Sequence, residues 1–318
     1  MTHVDEPELD VTVTAITPEA DGVVSVELRD AADAPLPAWQ PGAHLDLIIN
    51  GSIERQYSLC GDPSDARTWR VAVLREPDSR GGSQYIHEHL EVGDHLTVRG
   101  PRNHFPLVAG TEYRIIAGGI GVTPLLPMVE LLEQQGAPWR LLYGGRRRDS
   151  MAFVDRLQRL GPNVEIAPED ERGLLDLSGF LAEVTSGTRV YVCGPEPLIK
   201  AVEALSPGWS EGVLNVERFH PKEGALDGPA TAFTVVCEQS GLEVQIPADR
   251  SIVDVLLEQG IDVPTSCREG TCGTCETFVL DGVPDHRDSV LTKAEQDSNE
   301  VMMPCCGRSK TPILVLDL

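Results

Sequence analysis

The chain has 318 residues, 41% hydrophobic and 24% charged, with a formal net charge of −24. That length exceeds one ordinary core and implies two or three domains, while the acidic balance argues against nucleic acid or an anionic membrane as partner. No apolar run approaches the roughly 20 residues that span a bilayer, and the acidic start "MTHVDEPELDVTV" lacks a signal-peptide pattern; the expected location is the cytoplasm, where cysteines stay reduced.

In the first hundred residues "LDVTVTAITPEADGVVSVELRD", "GAHLDLIING" and "WRVAVLRE" alternate with the strand period. Pro, Gly and Asp turns between them predict an antiparallel β-barrel. Two segments inside it carry chemistry. "RQYSL" sends Arg55 and Tyr57 to one face of a strand and Ser58 to the other, an arginine for a phosphate and an aromatic for a flavin ring. Further on, "RGGSQYIHEHL" opens a helical pattern with two glycines and a serine, whose free N–H groups suit an anion; a plain loop capped by Ser83 is the alternative. His87 and His89 read as surface residues.

"EYRIIAGGIGVTPLLPMVELLEQQG" runs from a buried-type strand through glycines into a helix. That order suits a dinucleotide pyrophosphate, although the G-x-G-x-x-G spacing is absent. "WRLLYGG", a helix at "DSMAFVDRLQRL" and the strand–helix unit "TRVYVCGPEPLIKAVEAL" continue the alternation and imply a doubly wound parallel α/β sheet. Cys193 and Gly194 fall at the carboxyl end of a strand, where a ligand binds. With no base nearby in sequence, Cys193 reads as a packing or nicotinamide contact rather than a nucleophile. Arg146, Arg147 and Arg148 follow the second strand, where an adenosine ribose belongs. They suit the 2′-phosphate of NADPH, or else form a solvated turn before a helix capped by Asp149.

The last part reads as a β-rich ferredoxin-like domain. "TAFTVVCEQ" and "LEVQIPA" form a hairpin turning at Ser240 and Gly241, and "SIVDVLLEQG" is a helix with Ser251 as N-cap and Gly260 at its end. "CETFVLDG" and "PILVLDL" add strands. Within "TSCREGTCGTCETF", four residues separate Cys267 from Cys272 and two separate Cys272 from Cys275; Cys305 follows after a further 29. This is the plant-type ligand spacing of a [2Fe–2S] cluster. Gly270, Thr271, Gly273 and Thr274 let the backbone wrap closely and turn its N–H groups toward sulfur. Zinc prefers two separated cysteine pairs, and a thioredoxin-like pair needs a strand before and a helix after. Cys306 rivals Cys305 as the fourth ligand, and Cys60 and Cys237 read as core residues. The "HRD" of His286, Arg287 and Asp288 is not a kinase catalytic loop, since Lys293 stands where an Asn belongs.

Taken in order, "RQYSL", "RGGS", "AGGIGVTP", "CGP", "ERF", "CREGTCGTC" and "DHRD" are similar to the phthalate dioxygenase reductase family, which includes vanillate demethylase reductases, over nearly the whole chain. The resemblance implies a flavin-binding β-barrel over residues 1–108, an NAD-binding α/β domain over 109–224 and a β-grasp, plant-type ferredoxin domain over 225–318. It implies FMN, NADH and one [2Fe–2S] cluster, with FAD in place of FMN left open. Arg55, Gln56, Tyr57 and Ser58 would hold the flavin with Ala72, Val73 and Leu74, and Gly81, Gly82 and Ser83 would hold its phosphate. Gly119, Gly121, Thr123, Cys193, Gly194 and Pro195 would line the nicotinamide nucleotide site, and Phe219 would lie against the flavin. Cys267, Cys272, Cys275 and Cys305 would bind the cluster. The implied activity carries electrons from NADH through FMN and the cluster to a terminal Rieske-type oxygenase component. A haem or diiron monooxygenase as acceptor, and a non-catalytic redox sensor, are the alternatives. From Thr231 onward there are 15 Asp and Glu against 6 Lys and Arg, a charge that steers toward a basic acceptor or serves solubility alone. A monomer is expected.

Overall fold

Alternating apolar residues at the start of the chain become strands that bury one face. In a computed structural model, which describes residues 8–77, 79 and 81–318, these are β1 (Leu9–Ala20), β2 (Val23–Asp30), β3 (His44–Ile49), β4 (Ile53–Ser58) and β5 (Trp69–Leu74). After the short helix α1 (Gly82–Glu88) comes β6 (His95–Arg102). Residues 1–7 of the acidic start and Arg80 of "RGGS" lie outside the described residues. The antiparallel order is β4-β3-β6-β1-β2-β5, and the sheet curls until Leu59, just past β4, bridges to Val71 of β5. The expected barrel is therefore a curled half-barrel. Val11 and Val13, Val26 and Leu28, Leu45 and Leu47, and Trp69 and Val71 recur at period two and are fully buried inside it. Each such side chain contributes roughly 1.5–3 kcal/mol of hydrophobic stabilisation.

The next elements alternate. They are β7 (Glu112–Gly118), α2 (Val122–Gln135), β8 (Trp139–Gly145), α3 (Val154–Gln158), β9 (Val164–Pro168), α4 (Glu169–Arg172), α5 (Leu177–Phe180), β10 (Thr188–Cys193), α6 (Glu196–Leu205) and β11 (Leu214–Glu217). The five strands are parallel in the order β11-β10-β7-β8-β9. Winding reverses at β7, which puts the ligand crevice at the carboxyl ends of β7 and β10. The helix expected at "DSMAFVDRLQRL" is shorter than its pattern. Arg148–Ser150 forms a 3-10 turn, and Phe153 adopts a left-handed φ of 62° that delays the helix to Val154. Asp149 consequently caps nothing and instead accepts from Arg147 Nε at 3.0 Å. Val23, Cys60, Ala72 and Phe105 of the N-terminal part share one hydrophobic core with Val122, Leu125, Met128, Tyr143 and Tyr191 of the parallel layer. Arg156 reinforces it with a bidentate pair to Glu130 at 2.6 and 2.7 Å.

A second compact unit runs Arg218–Leu318, the first ending at Glu217. It contains β12 (Phe233–Cys237), β13 (Leu242–Ile246), α7 (Ile252–Glu258), β14 (Thr277–Asp281), β15 (Pro284–Asp285), α8 (Lys293–Ser298), β16 (Val301–Met302), β17 (Arg308–Ser309) and β18 (Ile313–Leu316). The order β13-β12-β18-β14-β16, with β12 and β18 parallel and the β12–β13 hairpin at one edge, gives the expected β-grasp sheet. Ser251 caps α7 by accepting from Asp254 N at 3.1 Å, and Gly260 (φ 82°) turns the chain out of it. Among the described residues no helix is long and apolar enough to cross a membrane.

Candidate functional site

On β4, Arg55 packs against the start of α1. A Cβ on Gly82 would stand 2.5 Å from Arg55 Cγ and 3.2 Å from its Nε, so only glycine admits the arginine there. Gly81 enters the helix with a left-handed φ of 93°, and its N–H donates to Ser79 Oγ at 3.1 Å. Ser83 does not cap the helix. Its buried hydroxyl donates to Ser79 Oγ at 3.0 Å and accepts from Glu76 N at 3.2 Å. A guanidinium beside a glycine turn with hydroxyls and N–H groups has the chemistry to hold a phosphate monoester. Tyr57 is half-buried, and burial raises its phenol well above the usual range. Ser58 is buried at the end of the strand.

The amide of Gln56 is engaged across the sheet, donating to Asp46 Oδ1 at 3.0 Å. Asp46 is fully buried and pairs with Arg102, an interaction that sequence reasoning missed. Ala72 and Val73 are buried on β5, with Leu74 partly buried at its end. His87 Nε2 donates to the Val73 carbonyl at 2.9 Å, so this histidine braces β5 and is not a free surface residue.

At the crevice, two loops meet backbone to backbone. A Cβ on Gly121 would stand 2.6 Å from Gly194 N, and one on Gly194 would stand 2.9 Å from Gly118 Cα. Gly119 has φ 54° with open space where a side chain would go. Thr123 is buried and donates to Ile120 O at 3.0 Å, fixing the first turn of α2. Pro195 precedes α6 directly. Gly119, Gly121, Thr123, Cys193, Gly194 and Pro195 therefore form one cradle of the kind a pyrophosphate occupies.

Cys193 lies in register with Ala117 on one side and Glu217 on the other. Burial, reinforced by Glu217, drives its thiol far above the ordinary range, which rules out a ready thiolate nucleophile. Burial likewise pushes the Glu217 carboxyl up to about 8, although its hydrogen bond with Cys193 opposes the shift. Glu217 adjoins Cys193 and was not singled out from the sequence, where its only signal is its place in "VERF". Phe219 opens the second unit with its ring exposed.

In the second unit the loop 265–276 coils around its own sulfurs. Cys267 Sγ accepts from Glu269 N at 3.4 Å and Thr271 N at 3.3 Å, and Cys272 Sγ takes Thr274 N at 3.5 Å and contacts Thr274 Oγ1 at 3.1 Å. Arg268, Gly270 and Gly273 all take left-handed φ values, which produce the tight wrap. The Cys267 thiol neighbours those of Cys272 and Cys305, and Cys275 neighbours Cys305. Cys306 Sγ neighbours Cys305, donates to Met303 O at 3.8 Å and packs against Gly270. Among the described residues no group of three or more His, Cys, Asp or Glu is arranged to hold a metal ion, and the four thiols are linked pairwise. Four buried or half-buried thiols with N–H donors on them match the donor set of a cysteine-ligated [2Fe–2S] cluster. A cavity of about 240 Å³ opens beside Cys305, lined also by Ser251, Val253 and the ion-paired Asp254 and Arg268.

The chain matches known proteins along its length. A family model described as the 2Fe-2S iron-sulfur cluster binding domain covers residues 235–310, and one described as the N-terminal domain of dimethylamine monooxygenase subunit DmmA-like proteins covers 99–209. The phenoxybenzoate dioxygenase subunit beta of Ectopseudomonas oleovorans is 42% identical over 96% of both chains. Phthalate dioxygenase reductase superposes with a TM-score of 0.71 at 34% identity, covering 98% of each chain. An intact type IV self-sufficient cytochrome P450 monooxygenase gives a TM-score of 0.91 at 42% identity; all of this chain is covered, and it spans 42% of that longer protein.

Proposed function

This chain belongs to the phthalate dioxygenase reductase family, and from that membership we propose that it serves as the reductase component of a Rieske-type oxygenase. It is an oxidoreductase in which a flavin- and NAD-binding reductase fold is joined to a [2Fe–2S] domain, and it moves electrons from NADH to an oxygenase. When bound, the flavin takes electrons in pairs and the cluster hands them on singly. The observation that carries the reading is the group Cys267, Cys272 and Cys275 in one coiled loop, with Cys305 brought to it from beyond β16, in a chain whose other unit has both a phosphate turn and a nucleotide crevice.

In this reading residues 1–108 hold FMN, 109–224 hold NADH and 225–318 hold the cluster. Arg55 with Gly81, Gly82 and Ser83 grips the FMN phosphate, while Gln56, Tyr57, Ser58, Ala72, Val73 and Leu74 shape the ring site. The Gly119–Gly121 turn, Thr123 and the Cys193–Pro195 turn orient the nicotinamide, with the protonated Cys193 thiol serving as a contact. Phe219, exposed just after β11, is the aromatic that the family resemblance assigns to the flavin. The four cysteines ligate iron, with Cys305 preferred over Cys306 by the plant-type spacing. The acidic C-terminal part steers a basic acceptor toward the cavity beside Cys305. The protein works as a cytoplasmic monomer.

Anaerobic titration with NADH tests the order: the flavin band bleaches, then the cluster band, with a reduced-cluster EPR signal. Flavin bleaching without cluster bleaching would overturn it, and mass spectrometry of the released flavin distinguishes FMN from FAD. A second reading, a haem monooxygenase as acceptor, is favoured by the likeness to the self-sufficient P450. Turnover with a Rieske oxygenase against turnover with a haem monooxygenase separates the two.

A further inference from the structure

The segment "DHRDS", Asp285–Ser289, has no role in the reading above, yet its side chains are among the most engaged in the second unit. Arg287 is 6% exposed, and its Nη2 donates to the Pro229 carbonyl at 2.7 Å and its Nη1 to the Leu226 carbonyl at 3.5 Å, while Nε donates to Asp285 Oδ2 at 2.9 Å. Gly228 passes so close that a Cβ there would stand 2.8 Å from Arg287 Nη2. Ser289 Oγ accepts from Lys222 N at 2.9 Å. A second buried guanidinium, Arg308, takes the next carbonyl along, donating to Thr231 O at 3.0 Å and Pro247 O at 2.8 Å.

Residues 222–231 are the mostly exposed stretch between β11 and β12, rich in Gly, Pro and charge, and they contain no helix or strand. Such a composition ordinarily gives a flexible tether. Here four of its backbone groups, on Lys222, Leu226, Pro229 and Thr231, are held by side chains from the far end of the chain. The other side of the same segment braces the thiol loop. Ser289 N donates to Gly270 O at 2.8 Å, and a Cβ on Gly270 would stand 2.9 Å from Asp288 Cα.

We propose that Arg287 and Ser289 are positioning residues for electron entry into the cluster. They fasten residues 222–231 to the loop that carries Cys267 and Cys272, so this stretch moves with the cluster unit and only the few residues before Lys222 remain as tether. The proposal rests on the reading that electrons from NADH reach the cluster through the flavin of the first unit. Freeing the stretch lengthens the tether and lowers the effective concentration of cluster at the flavin.

The test uses the full-length holoprotein with Ser289→Ala and, separately, Arg287→Lys, which keeps the charge beside Asp285 but loses the fork that spans two carbonyls. NADH supplies two electrons and each cluster accepts one. Mixing with NADH is expected to bleach the cluster about threefold to tenfold more slowly than in the wild type, with flavin bleaching, cluster absorbance, EPR spectrum and potential unchanged. Hydrogen exchange at the Lys222 amide and tryptic cleavage after Lys222 are expected to quicken in both variants. Faster exchange with an unchanged rate of cluster bleaching overturns the proposal, as does an altered EPR spectrum, which would mark a purely structural role for the loop. A wild-type cluster that NADH never bleaches overturns the functional reading instead; the fastening is then still decided by Lys222 exchange.

Discussion

Two carboxylates set the character of the first unit. Glu217 is held neutral by burial, with its pKa raised from 4.5 to about 8. A carboxyl that folding keeps protonated favours the folded state at low pH, and that advantage is lost as pH climbs from about 4.5 through 8. Glu217→Gln should therefore flatten the decline in thermal midpoint between pH 5 and 9 and exceed the wild type by about 3 °C or more at pH 9. An unchanged difference across that range would show that the carboxyl is not buried as described. The second carboxylate, Glu171, holds Arg148 in a bidentate pair at 2.8 Å, while Arg147 is shared by Asp21 and Asp149. Two of the three arginines after β8, Arg147 and Arg148, are thus paired with acidic neighbours, which fits NADH. Glu171→Gln should raise kcat/KM for NADPH by about two- to fivefold and leave NADH within error. Neither pair was legible in the sequence. Glu171 lies far along the chain from Arg148, and only the parallel register of β10 and β11 puts Glu217 against Cys193.

At the level of elements, strands were legible because period-two alternation is written locally, and the helix α7 because Ser251 and Gly260 mark both its ends. The short α3 was not, since its apolar pattern continues through Phe153, whose left-handed backbone delays the helix. The backbones at Gly121 and Gly194 approach so closely, as does Arg55 at Gly82, that a Cβ has no room at these three positions. Gly82→Val should drive the Arg55 side chain off the α1 turn and weaken FMN binding by about tenfold or more, measured by flavin retention on dilution. In the second unit, Cys305→Ser should abolish the cluster absorbance while flavin reduction by NADH persists. Cys306→Ser should retain the cluster; loss in Cys306→Ser and retention in Cys305→Ser would reverse the ligand assignment.

For the molecule as a whole, the net charge of −24 and the acid-rich sequence from Thr231 onward act at a distance. If this field guides a basic acceptor, the second-order rate of acceptor reduction should fall severalfold between about 50 and 300 mM salt, while flavin reduction by NADH stays nearly constant. A flat rate would assign the charge to solubility. The shared apolar core running from Val23, Cys60, Ala72 and Phe105 into Val122, Leu125 and Tyr191 has a different outcome. Each layer also has an interior of its own, but melting either would strip this shared core from the other, so calorimetry should register both layers as one cooperative endotherm. The ferredoxin module, with an interior of its own, is free to denature at another temperature.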